Sequence, residues 1–141
     1  MTAALSFCYA LLIGECVLAA LLVGFDPYVG LLHQPHLGRP SLALDLAEEF
    51  RPLVADSAVV TMFNQGELAA KDFVRRARGV ALTPSGRKTV IGGFERRLQH
   101  SIVHPMFGYP ASYRRAMELQ ARLLRAVLLG EVPAYGAFTT R

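Results

Sequence analysis

Residues 3 to 25 read AALSFCYALLIGECVLAALLVGF, an apolar run interrupted only by Ser6, Gly14, Glu15 and Gly24. A run of that length has two physical destinations. One is the hydrocarbon of a bilayer, which a helix of about 20 apolar residues spans; the other is the middle of a helical domain, where partner helices cover it. Glu15, near its centre, weighs against lipid, because a carboxylate at mid-bilayer is expensive. No Lys or Arg precedes Arg39 to supply a basic signal-peptide region or a positive-inside anchor. The run therefore predicts a buried, hydrophobic central helix and no membrane, while a small membrane-anchored protein is the alternative built on the same residues.

The rest of the chain fits a helical packing partner. With 141 residues, 52% of them hydrophobic and 18% charged, the sequence is long and apolar enough for one domain with a real core and too apolar for disorder. Cys8 and Cys16 are too few for a metal quartet or a secreted disulfide framework, so reduced core thiols and a cytoplasmic location are expected. The first helix stops at Gly24, and Asp26-Pro27 starts a short turn toward Leu32. Ser41 caps a helix that Pro52 interrupts and that resumes to Phe63. A short helix around Leu68 to Phe73 is followed by one possible extended segment near residues 76 to 83, and Pro84-Ser85-Gly86 reads as a turn or helix start. Further helices are predicted over Lys88 to Val103, which would carry His100 and His104 four apart, and over Ser112 to Leu129, with Gly130 as the stop. The expected class is all-α, an irregular helical domain.

Charge divides the chain. Up to Phe73 it carries three Lys/Arg (Arg39, Arg51, Lys71) against eight Asp/Glu; from Val74 onward twelve Lys/Arg face Glu95, Glu118 and Glu131. With so few acids in the second half, most of its arginines are expected to lack local partners, which favours a polyanionic ligand over surface ion pairs.

Chemistry concentrates between Gly30 and Pro52. At 100° per residue from Leu42, Leu46, Phe50 and Leu53 fall at about 40°, 80° and 20°, an apolar stripe. Asp45 and Glu48 fall at about 300° and 240°, three residues apart on one polar face where they can share a cation. His33 and His36 lie upstream in a Pro/Gly loop that can aim a histidine at that face, and a His/Asp/Glu set suits Mg²⁺ or Mn²⁺. The same two carboxylates equally suit a solvated helix face, and spacing leaves both readings open. Glu49, at about −20°, falls on the apolar stripe and is expected to pair with an arginine inside rather than to bind a metal.

The run GFDPYVGLLHQPHLGRPSLALDLAEEFRP, with its Gly-Phe-Asp-Pro start, Gly-Leu-Leu-His step, Gly-Arg-Pro-Ser-Leu stretch and Asp-Leu-x-Glu-x-Phe-Arg-Pro end, resembles the signature of the CRISPR-associated protein one family. LSFCYALL near the start, Leu82-Thr83, Gly86-Arg87-Lys88, ASYRR and QARLLRA extend the resemblance over essentially the whole chain.

The resemblance implies a metal-dependent DNA endonuclease and integrase of CRISPR adaptation, joining new spacer DNA to the repeat array by transesterification. It matches His33, Asp45 and Glu48 to the family's catalytic metal ligands, with Mg²⁺ or Mn²⁺ as cofactor, and His36 to nothing. The family's further glutamate ligand would lie on a helix before Leu5, outside this sequence. Residues 1 to 141 are accordingly expected to be the C-terminal helical domain alone, without the β-rich N-terminal domain and first helices. An exposed apolar patch, and low activity until the upstream portion is supplied, are expected with it. Arg75, Arg76, Arg78, Arg87, Lys88, Arg96, Arg97, Arg114 and Arg115 would hold DNA phosphates. Implied partners are the spacer fragment, the CRISPR repeat, a second copy of the full family protein and CRISPR-associated protein two. A catalytically incomplete DNA-binding or assembly module is the alternative function.

Overall fold

The computed structural model describes residues 1–24, 41–105, 107–128 and 130. The histidine loop with His33 and His36, the Asp26-Pro27 turn and the residues after Gly130 lie outside the described residues. The fold is mostly α: α1 (Thr2–Leu22), α2 (Ser41–Phe50), a π-helical turn (Arg51–Asp56), α3 (Ser57–Asn64), a 3₁₀ turn (Ala70–Asp72), β1 (Phe73–Arg76), β2 (Gly79–Leu82), α4 (Pro84–Leu98), β3 (Ser101–Val103), β4 (Pro110–Ser112) and α5 (Tyr113–Leu128).

The apolar run forms α1 and packs against α2, the π-helical turn, α4 and α5. It buries Ala4, Cys8, Leu12, Cys16 and Ala20 at a four-residue repeat, the signature of a single helix face. By length and composition α1 could cross a membrane. Here its small buried residues let other helices lie close, and the core they build includes Leu46, Phe50, Val54, Met62, Phe94 and Met117. The helices cover α1 only in part: Leu18, Leu21 and Leu22 are exposed, Leu22 by 69%, as the expected apolar patch requires.

Pro52 interrupts the α2–α3 helix as its missing N–H requires. The chain does not break there; six residues adopt the wider π-helical geometry and then return to α. One carbonyl of this turn, that of Leu53, accepts a hydrogen bond from Arg97 Nε at 2.8 Å.

The extended segment is a hairpin, β1 antiparallel to β2 with Phe73 opposite Leu82. Gly79 takes φ +121°, a conformation that an L side chain rarely adopts. Thr83 caps α4, its hydroxyl accepting from Gly86 N at 3.0 Å, and Pro84 occupies the first turn where no N–H is needed. Gly86 is required by proximity, since a Cβ there would stand 2.7 Å from the Asp72 carbonyl oxygen.

Two expectations are corrected. The helix expected over Lys88 to Val103 begins at Pro84 and ends at Leu98, because Ser101–Val103 pairs with Pro110–Ser112 as a second antiparallel hairpin. His100 and His104 therefore do not share a helix face, and the 68–73 helix is only the 3₁₀ turn Ala70–Asp72.

Candidate functional site

Helix α2 carries the acidic face. Asp45 is half-buried and Glu48 exposed, and Glu48 Oε1 accepts a hydrogen bond from the Tyr9 hydroxyl of α1 at 2.8 Å. The Arg51 guanidinium lies 4.7 Å from the centre of the Tyr9 ring. Burial, then the hydrogen bond to Glu48, push the Tyr9 hydroxyl up to about 12, so it stays protonated and donating at neutral pH. Sequence reading missed Tyr9 as a site residue, although its place in LSFCYALL was the available signal.

Glu49 turns toward α5. Its Oε2 accepts from Gln120 Nε2 at 3.3 Å, and Gln120 Oε1 lies 3.0 Å from His104 Nε2. The fold brings this amide of α5 to Glu49 on α2. His104 is 1% exposed, and its Nδ1 accepts from the Phe107 N–H at 3.2 Å. Burial pushes the imidazole below its ordinary range, partly opposed by the bond to Gln120, and favours the neutral ring. Nothing in the sequence spacing linked positions 49, 104 and 120.

His33 lies outside the described residues, and among those described no group of three or more His, Cys, Asp and Glu is gathered for a metal. Asp45 and Glu48 supply two hard oxygen donors one turn apart, which suits a hard divalent cation.

The cations separate into two sets. Arg75 and Arg76 on β1, Arg78 in the turn after it, and Arg87 and Lys88 at the start of α4 form the first, and none pairs with a carboxylate among the described residues. Arg87 Nη1 donates to the Leu82 carbonyl at 3.1 Å, which ties α4 to the hairpin. The second set is engaged within the protein. Arg96 pairs with Glu67 and Arg115 with Glu118. Arg97 reaches the Leu53 carbonyl and lies 4.8 Å from the Tyr113 ring centre. Arg114 binds Glu15 at 3.1 Å and Glu95 at 2.8 Å. The second half's own acids pair with Arg114 and Arg115, while Glu15 and Glu67 reach Arg114 and Arg96 from the acidic half, a source of partners that counting acids within the second half leaves out.

Sequence and structure comparisons agree on family. The family described as CRISPR associated protein Cas1 matches residues 1–96. The CRISPR-associated exonuclease Cas4/endonuclease Cas1 fusion of Geobacter sulfurreducens is 55% identical over 141 residues, covering 100% of this chain and 25% of that protein. A CRISPR-associated endonuclease Cas1 of Thermus thermophilus is 43% identical over 97% of this chain and 41% of its own length. Among solved structures, a casposase bound to integration product superposes with a TM-score of 0.84 and 31% identity, covering 94% of this chain and 38% of that one. The chain thus spans well under half the length of these relatives. With its α1, carboxylate helix and first hairpin all inside the matched residues, the chain belongs to the Cas1 family.

Proposed function

We propose that this chain is the C-terminal helical catalytic portion of a DNA endonuclease and integrase of CRISPR adaptation. The observation that carries the proposal is the acidic face of α2, where Asp45 and Glu48 stand one turn apart and Tyr9 holds Glu48 from a second helix. Family membership and the casposase bound to integration product support it.

In this reading His33, Asp45 and Glu48 hold Mg²⁺ or Mn²⁺. When bound, the cation supplies charge neutralisation at the scissile phosphate and lowers the pKa of the attacking hydroxyl. The protein's own task is positioning. Tyr9 donates to one oxygen of Glu48 and leaves the other for the cation. Arg75, Arg76, Arg78, Arg87 and Lys88 hold backbone phosphates and set where the duplex lies. Arg96, Arg97 and Arg114 serve chiefly to bind the elements of the fold together, whereas Arg115 pairs only within α5 and stays among the phosphate contacts. The 3′-hydroxyl oxygen of the incoming fragment attacks the repeat phosphorus, and the repeat's own 3′-oxygen leaves as the strand is joined. Water in place of that hydroxyl gives hydrolysis and hence nuclease activity. A second copy of the protein and CRISPR-associated protein two are the proposed assembly partners, in the reducing cytoplasm where Cys8 and Cys16 stay thiols.

The test is cleavage and joining of labelled DNA by the natural full-length polypeptide with Mn²⁺, before and after Asp45→Ala. Loss of at least about a hundredfold in both reactions with DNA binding retained is expected, as for removal of a metal ligand. Full activity in Asp45→Ala would leave the alternative, a DNA-binding or assembly module.

A further inference from the structure

Three charged residues follow one another along α2 and into the turn after it at three-residue steps. On a helix of about 100° per residue Asp45, Glu48 and Arg51 fall at about 300°, 240° and 180°, so each stands one turn beyond the last along one edge. An acid and an arginine at that spacing ordinarily close into an ion pair, as Arg115 and Glu118 do on α5 in the reverse order. Among the described residues no carboxylate, Glu48 included, pairs with Arg51, which is exposed.

One side chain of α1 keeps the two apart. The Tyr9 hydroxyl donates to Glu48 Oε1 at 2.8 Å, and the centre of the same ring lies 4.7 Å from the Arg51 guanidinium carbon. A ring attracts a cation through its quadrupole rather than by accepting a conventional hydrogen bond, so this contact steadies Arg51 and leaves N–H groups of its fork available. Arg51 also opens the π-helical turn, a geometry frequent at functional sites.

Charge says what those donors are for. Two ionised carboxylates and one divalent cation sum to zero. A phosphodiester brings one negative charge, which the transition state of the attack spreads over its non-bridging oxygens. A guanidinium one turn from Glu48 opposes that charge, and its planar fork fits phosphate oxygens.

We infer that Arg51 is a substrate-binding residue of the carboxylate face, kept from closing on Glu48 by Tyr9 and directed to a non-bridging oxygen of the DNA phosphate that reacts there. The inference rests on the reading in which Asp45 and Glu48 hold the cation. It separates Arg51 from the hairpin cations, whose phosphates do not react: their loss is read in affinity, that of Arg51 in kcat.

The experiment compares Arg51→Met, Arg51→Lys, Tyr9→Leu, the double variant Tyr9→Leu/Arg51→Met and Asp45→Ala in the natural full-length polypeptide. Mn²⁺ binding without DNA is read from loss of the free-ion electron paramagnetic resonance signal, and kcat and KM from Mn²⁺-dependent DNA cleavage. Arg51→Met is expected to lower kcat about a hundredfold, the size seen when one transition-state donor is removed, with KM within about threefold of the parent. Mn²⁺ should bind it at least as tightly as the parent, because a like charge beside the site is gone. Arg51→Lys, which keeps the charge without the fork, should fall between the two. In Tyr9→Leu the arginine is free to close on Glu48, so Mn²⁺ binding should weaken and recover in part in the double variant. The inference is overturned by an unchanged kcat or weaker Mn²⁺ binding in Arg51→Met, by Arg51→Lys no faster than Arg51→Met, or by a double variant that binds Mn²⁺ no better than Tyr9→Leu. If Asp45→Ala binds Mn²⁺ and cuts DNA as the parent does, the carboxylate reading itself is wrong; an inactive Asp45→Ala beside a fully active Arg51→Met defeats the role of Arg51 alone.

Discussion

Arg114 of α5 closes on Glu15 of α1, 99 residues earlier, through Nε at 3.3 Å and Nη2 at 3.1 Å. The same Nη2 reaches Glu95 of α4 at 2.8 Å, so one guanidinium joins three helices. Hydrogen bonding to Glu15 is the chief cause that raises its already high pKa, with Glu95 adding to it, and the group stays charged. The carboxylate that argued against a membrane helix is thus satisfied by a cation from the far end of the chain.

Removing Arg114 should therefore cost more than removing Arg115. Arg114→Met is expected to lower stability by about 1–2 kcal/mol, because Glu15 is left largely covered without its partner. Arg115→Met breaks only an exposed i,i+3 pair with Glu118 and should cost no more than about 0.5 kcal/mol. Urea unfolding of the two variants measures the difference, and equal costs would contradict the three-helix role.

Tyr9→Phe deletes one hydroxyl and little volume. With Glu48 no longer held, Mn²⁺ affinity is expected to weaken about tenfold while the unfolding midpoint moves little. Calorimetric titration with Mn²⁺ reads the first and thermal unfolding the second.

His104 makes stability depend on pH in a stated direction. Its folded pKa lies below the ordinary value, so the unfolded chain takes up the proton more readily. Its contribution is fully present above about pH 6.5 and is lost as pH falls from there through the depressed folded value. His104→Gln should flatten that acid limb relative to the parent in denaturation curves taken from pH 7.5 to 5. An unchanged limb would mean that another group carries it.

Glycine substitutions on α4 should have opposite signs. Gly86→Ala presses a methyl against the Asp72 backbone carbonyl, which cannot swing aside, and should cost about 1–3 kcal/mol. At Gly92 the nearest group is the Arg96 side chain at 3.9 Å, so Gly92→Ala should stabilise by about 0.5–1 kcal/mol through helix propensity. Thermal unfolding of both variants decides.

If the hairpin cations hold phosphates, Arg75→Glu/Arg76→Glu should weaken DNA binding and lower the slope of log affinity against log salt by roughly one for each phosphate no longer held. Filter binding across a salt series measures it. Binding that does not vary with salt would exclude a phosphate interface.

The parts legible in sequence were those with a local cause. Pro52 announced the change of helical geometry, Thr83-Pro84 the start of α4, and the i,i+3 spacing put Asp45 and Glu48 on one face of α2. The illegible parts depend on residues far apart in the chain. Arg97 meets a carbonyl 44 positions earlier and Gln120 a carboxylate 71 positions earlier, and neither separation leaves a periodic trace. Counting acids within each half of the chain failed for the same reason: charge balance is set in space. The β3–β4 hairpin was missed because three-residue strands are too short to show alternation.

The wide turn at Arg51–Asp56 has a geometric effect beyond accommodating a proline. Each residue in it advances through a smaller angle than in an α-helix, so α3 leaves the turn with its faces rotated relative to those of α2. Those six residues act as an angular offset between the acidic helix and the helices that follow it. The distance between the acidic face and the hairpin cations is therefore encoded less in the residues that carry charge than in how tightly one short stretch of backbone is wound.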